Sequence, residues 1–239
     1  MRLTIYRCVL FTLLLWGSAW AQDTTVTGRV ALLDGKGNRG HDAIDAVVWL
    51  TPLEDAAVPK PAAFQPSQPR LVQKNKSFSP HVLVVPVGAV VEFPNRDPFF
   101  HNVFSLFEGK RFDLGLYEAG TTRQVHFDKP GISYIFCNIH AEMSAVVIAL
   151  QTPYYGISDR RGEIVIPHVP PGRYTLRVWY ETAMPDVLNS LTREIMVSPN
   201  SSTLGVFRIP ASGPPEAHKN KYGQDYAPPA PDSPAYEHP

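Results

Sequence analysis

The run Cys137-Asn-Ile-His140-Ala-Glu-Met143 places a thiol, an imidazole and a thioether at Cys-x2-His-x2-Met spacing. A second imidazole, His101, follows the turn-rich segment Asn95-Arg-Asp-Pro98 and opens an apolar run. Two imidazoles and a thiolate suit a near-trigonal plane of metal ligands, and a thioether suits a weak axial position. That donor set points to one mononuclear type 1 copper ion held by His101, Cys137, His140 and Met143. Thiolate and thioether favour Cu(I), and imidazole suits both oxidation states. Zinc takes Cys and His readily, but a thioether is a poor ligand for it. Covalent haem attachment needs Cys-x-x-Cys-His, and a binuclear purple copper site needs a second cysteine beside the first. Neither pattern is present. A Cys–His nucleophile pair has no accompanying signature.

The second cysteine, Cys8, lies in a targeting segment. Arg2 and Arg7 precede the apolar residues 8–16, and Ala19-Trp-Ala21 offers a small-x-small cleavage site before Gln22. Residues 1–21 therefore read as a secretory signal peptide, and the expected location is the periplasm or another exported compartment. Cleavage leaves Cys137 as the one cysteine of the mature chain. Structural cysteines in oxidising compartments come in pairs, so a lone thiol there calls for burial, an intermolecular bridge or a metal. No other segment is long and apolar enough to span a membrane, so no membrane span is expected after cleavage. Lys plus Arg is 22 and Asp plus Glu is 22, so there is no basic field for a nucleic-acid backbone.

The elements that must position these ligands read as strands. The 239 residues include 24 prolines, about double the usual share, which disfavours long helices. Strand signals fall at residues 24–34 and 46–50. Residues 52–69, with five prolines, read as a linker. A dense succession of strands follows from 71 to 150, with turns every 8–12 residues as in a sandwich or barrel. Further strands are expected at 155–158, 163–166, 174–180, 191–197 and 203–209. Residues 211–239 are polar and proline-rich and read as a disordered tail.

Phe78-Ser-Pro-His-Val-Leu-Val-Val-Pro-Val-Gly88, Val91-Glu-Phe-Pro-Asn95, His101-Asn-Val-Phe-Ser105 and Phe112-Asp-Leu-Gly115, followed by the ligand run, resemble a plastocyanin-like cupredoxin over residues 70–151. The short ligand loop is most similar to that of amicyanin, although Ile139 and Ala141 stand where amicyanin carries prolines. The whole arrangement resembles the exported methylamine utilisation proteins. This resemblance implies a Greek-key β-sandwich with His101, Cys137, His140 and Met143 as copper ligands. It also implies that Asn102 ties the two ligand loops together, and that an exposed His140 serves as the electron port. Tyr155-Gly-Ile-Ser-Asp159-x-x-Gly162 and Val169-Pro-Pro-Gly172-Arg-Tyr-Thr-Leu-Arg-Val178 resemble a carboxypeptidase regulatory-like, transthyretin-like sandwich over 152–210. Residues 22–69 either pair with that second sandwich or supply the first strands of the cupredoxin.

The expected protein is all-β and not an enzyme. It is a periplasmic one-electron carrier that exchanges electrons with a cytochrome or an oxidoreductase. The alternatives are a copper-trafficking or storage protein and a metal-free structural module. Trafficking favours Met- or His-rich sites, whereas only Met143, Met184 and Met196 remain after cleavage. Glu142 is expected to lower the reduction potential and to favour a positively charged partner. His81 reads as a surface strand residue on a run from 78 to 86.

Overall fold

The computed structural model describes residues 23–34, 39–53, 68–106, 108–200, 202–210 and 218–226. The signal peptide, the 35–37 turn, most of the 52–69 linker and the ends of the C-terminal tail lie outside the described residues. The strands are β1 (Thr24–Leu33), β2 (Arg39–Asp42), β3 (Val47–Pro52), β4 (Val72–Lys74), β5 (Ser77–Ser79), β6 (Val82–Pro86), β7 (Ala89–Pro94), β8 (His101–Ser105) and β9 (Phe112–Tyr117). They continue with β10 (Thr122–Phe127), β11 (Gly131–Cys137), β12 (Ser144–Leu150), β13 (Tyr155–Ile157), β14 (Glu163–Val169), β15 (Gly172–Trp179), β16 (Arg193–Val197) and β17 (Thr203–Pro210). One short helix, α1 (Pro185–Leu191), precedes β16. Sequence patterning does not register it, because its seven residues carry no fully buried face.

Apart from α1, the regular structure of the described residues is β, and it forms two packed cores. In the first, β14-β1-β17 make one sheet, with β2 on β1, and β13-β3-β15-β16 make the other. Val26 pairs with Ile166, Val30 with Phe207 and Trp49 with Arg177. Strands from residues 24–52 thus pair with strands from residues 155–210. Alternation explains why these segments are strands: Val26 and Val30 of β1, Val48 and Leu50 of β3, and Ile164 and Ile166 of β14 all point into one core.

The second core lies under a five-stranded sheet of order β6-β12-β11-β8-β9, with β10-β7 and the β4-β5 hairpin opposite. Its strands are those that resemble a cupredoxin, and the fold here is a cupredoxin-like β-sandwich. The hairpin turn uses Asn75 and Lys76, both at positive φ (54° and 52°), as a tight two-residue turn between strands requires. The 78–86 run does not form one strand. It breaks at Pro80, which cannot donate to a ladder, into β5 and β6.

The cores meet through β12. Ser144–Leu150 is almost continuously buried, the signature of a strand covered on both faces. Ala145, Val147 and Ala149 face the cupredoxin core. Val146, Ile148 and Leu150 join Val82 and Val84 of β6 against Val47 and Trp179 of the other sandwich. At the same junction His81 Nε2 lies 2.6 Å from Glu181 Oε2. The Glu181 hydrogen bond, more than its burial, governs His81 and raises its pKa. A raised folded-state pKa contributes stability below the unfolded value of 6.5, and that contribution is lost as pH rises through the folded value. His81→Ala is therefore expected to lower the thermal midpoint more at pH 5.5 than at pH 9. Equal losses at both pH values would show that the pair carries no charge-dependent stability.

Candidate metal centre

The site begins with strand register. Cys137 of β11 lies opposite Val103 of β8, two residues from His101. Residues two apart share a strand face, so His101 and Cys137 project to the same side on diagonal positions of adjacent strands. Alternation along β11 buries Ser133, Ile135 and Cys137 together, which makes Cys137 the last inward residue before the loop. The loop then folds back on itself. The Met143 N–H donates to the His140 carbonyl at 3.1 Å, and the Cys137 N–H donates to the Met143 carbonyl at 3.3 Å.

This geometry brings three of the four expected ligands into one cluster. Cys137 Sγ lies 3.6 Å from His101 Nδ1 and 3.5 Å from His140 Nδ1. The three donor atoms fall within 4.8 Å of one another, and all three residues are buried. Metal–sulfur and metal–nitrogen bonds of about 2.0–2.3 Å, at angles near about 110–120°, separate neighbouring ligand atoms by about 3.5–3.8 Å. The cluster therefore has the size and donor chemistry to hold one metal ion. Met143 is fully buried in the same core cluster as Cys137.

The electrostatics fit a site formed before the metal arrives. Burial pushes the Cys137 thiol pKa up, while the N–H groups of Ile139, Asn102 and His140 pull it back toward the thiolate. Burial first, and then the neighbouring His101, push His140 down to about 4. Burial also lowers His101, against the opposing pull of Asp97. At neutral pH the cluster is two uncharged imidazoles and a thiol, which a dry interior tolerates. Taking up a metal then removes one proton, from Cys137.

Asp97 was not picked out by sequence reasoning. Its Oδ2 is 2.9 Å from His101 Nε2, and both side chains are almost wholly buried. The two N–H groups of the Asn75–Lys76 turn donate to the Asp97 carboxylate at 2.5 and 3.1 Å. Despite the opposing effect of burial, these bonds and His101 lower its pKa, so it is ionised at neutral pH. An ionised carboxylate only accepts, so the His101 proton sits on Nε2 and the Nδ1 lone pair faces Cys137. The available signal was an acid four residues before His101 in a turn.

Three expectations change in the structure. His140 is buried, at 5% exposure, so it does not present the expected open edge. The Phe99 ring lies 5.3 Å from the His140 ring and 5.4 Å from the His101 ring, covering both. The Asn102 side chain turns to Asp113, donating at 2.7 Å, and the two ligand segments are joined by its backbone instead, where the Asn138 N–H donates to the Asn102 carbonyl at 2.8 Å. Residues 218–226 of the tail are ordered and packed against the ligand loop, because they find buried aromatic and carbonyl partners there.

A cupredoxin-like β-sandwich thus carries a buried His–Cys–His cluster at one end of its sheet, a donor set that could hold one metal ion. No protein-family profile matches the chain, and no curated protein matches it. Among solved structures it is similar to a copper-containing nitrite reductase (NirK) from Thermus scotoductus SA-01, at 27% identity and TM-score 0.34, covering 36% of this chain and 23% of that one. It is also similar to a purple cupredoxin from Nitrosopumilus maritimus, at 22% identity and TM-score 0.31, covering 35% and 100%. A reduced Cu(I) mutant of amicyanin aligns at 16% identity and TM-score 0.33, covering 43% and 98%.

Asp97→Ala is expected to weaken copper binding about 10- to 100-fold, the usual effect of losing a carboxylate behind a ligating histidine. Asp97→Asn, whose amide oxygen still accepts from Nε2, should lose less. Competition titration against a chromophoric chelator measures both; an unaltered affinity in Asp97→Ala would remove Asp97 from the site.

Proposed function

We propose that this chain is a type 1 copper protein that carries single electrons between redox partners in an exported compartment. The observation that supports this most is the buried triangle of His101 Nδ1, Cys137 Sγ and His140 Nδ1. In this reading His101, Cys137 and His140 hold the copper and Met143 is the weak axial ligand. Bound copper would supply a one-electron couple through its strong thiolate bond. The chain's own residues keep the ligands in place in both oxidation states. Asp97 and the β4–β5 turn fix the His101 tautomer, two packed strands fix Cys137, and Phe99 seals the imidazoles from water.

Because His140 is covered, in this reading the electron leaves from His140 through the half-buried Phe99 ring, which lies 5.3 Å from it. The partner is a cytochrome or an oxidoreductase. The chain itself turns over no substrate, and its signal peptide directs it to the periplasm. The second sandwich, in its carboxypeptidase regulatory-like form, serves as a scaffold or docking module.

Adding Cu(II) to the purified mature chain is expected to produce an intense visible band near about 600 nm that Cys137→Ser abolishes. A colourless complex, or no uptake at all, would sink the proposal. Glu142 is exposed on the ligand loop and, among its effects, raises the pKa of Cys137. A negative charge there stabilises the more positive oxidised site. Glu142→Gln should therefore raise the reduction potential by on the order of tens of millivolts. Protein-film voltammetry at low and high salt reads the shift, and a potential indifferent to the substitution counts against a charge effect at this loop.

A further inference from the structure

The outward-facing residues of β11 are Ile132, Tyr134 and Phe136. Ile132 and Tyr134 pack against the junction with the second sandwich. Phe136, adjacent to Cys137, lies beyond that cover and meets the C-terminal tail instead. The His218 ring stacks on it at 4.2 Å between centroids and 27° between planes. From there residues 218–226 run along the ligand loop as a compact turn closed on itself. The Gly223 N–H donates to the Asn220 carbonyl, and the Asn220 side chain accepts from the N–H groups of Tyr222 and Gln224.

Three hydrogen bonds fasten this turn to the metal centre. The Tyr226 hydroxyl donates to the Cys137 carbonyl at 2.6 Å. The Lys221 N–H donates to Asn138 Oδ1 at 2.9 Å. Lys221 Nζ donates to Asp113 Oδ2 at 2.8 Å, and the other oxygen of that carboxylate accepts from Asn102. With its proton given to Cys137, the Tyr226 oxygen accepts from His218 Nδ1 at 3.2 Å, which locks the two tail aromatics together.

We propose that residues 218–226 are a strap that positions the copper-ligand loop, with Tyr226 and Lys221 as its positioning residues. The strap grips the backbone carbonyl of a ligand and the side chain of its neighbour, and through Asp113 and Asn102 it reaches the strand that carries the other ligand segment. It therefore holds the two halves of the site at fixed spacing. The proposal deepens the copper reading of the same site, but the restraint on the loop exists in the metal-free chain.

Amide hydrogen exchange on the full-length, metal-free protein tests the restraint without copper. In Tyr226→Phe combined with Lys221→Met, the Asn138 and Met143 amides should exchange about tenfold faster or more, as expected when net-stabilising hydrogen bonds are lost. Amides of β1, β3 and β15 should be unchanged, and Lys221→Arg alone, which keeps the cation, should behave as wild type. Wild-type exchange at Asn138 and Met143 in the double variant overturns the strap. Should the double variant fail to fold, Tyr226→Phe alone is read in the same way. On Cu(II)-loaded protein the double variant should release copper to a chelator about tenfold faster, with a displaced thiolate band; an unmoved band and unchanged release would reject the positioning role. A wild-type chain that takes up no copper defeats the electron-carrier reading, and the exchange rates then decide the strap by themselves.

Discussion

The register of β11 against β8 is the constraint on which the metal centre depends. With Cys137 opposite Val103, the thiol and the His101 imidazole fall on one face of one sheet. A slip by one residue would send Cys137 to the opposite face, where Phe136 now points. That register is well defended. Ser133, Ile135 and Cys137 face a packed core, while Ile132 and Tyr134 face the second sandwich, so neither face of β11 tolerates the exchange of its side chains. The ligand geometry is thus a consequence of burying two different apolar surfaces, and the ligands themselves contribute little to setting it.

The same two-sided burial explains why the chain is interleaved. A cupredoxin-like sheet with an exposed outer face would carry alternating polar residues on β12, and Ser144–Leu150 has almost none. Its outer face needs a partner, and β3 and β15 supply it through Val47 and Trp179. Chain from both sides of residues 70–151 builds that partner: β3 precedes that segment and β13 follows it. Motion of one unit against the other would expose Val146 and Ile148, which links the rigidity of the site to the stability of the junction.

Much of this was legible in the residues. Alternating apolar positions marked nearly every long strand, and Cys137, His140 and His101 came together as their types suggested. What escaped the sequence depends on contacts between distant segments. Asp97 became part of the site because the Asn75–Lys76 turn donates two N–H groups to it, a pairing about twenty residues apart with no local pattern. The tail looked disordered because proline-rich polar composition predicts no core of its own. Residues 218–226 borrow one instead, using Phe136 and the Cys137 carbonyl, and composition cannot register that. The exposure expected for His140 failed for a related reason: Phe99, in a turn before β8, folds across the ring.

Covering His140 alters how the site must work. An exposed imidazole can take a proton and leave the metal, which makes a reduced centre sensitive to acid. Here burial holds the His140 pKa at about 4, so protonation at neutral pH is disfavoured before any metal is considered. His101 is restrained from the other side, since Asp97 occupies its Nε2 and leaves only Nδ1 for binding. The thiol is the single group whose ionisation must change when metal binds, and three backbone N–H groups already face its sulfur. His101, Cys137 and His140 are therefore each held by something that does not depend on a metal: a carboxylate, a strand register and a covering ring. Under the proposed electron-carrier role, a site restrained in this way would need little rearrangement between oxidation states, which is the property that rapid single-electron transfer requires.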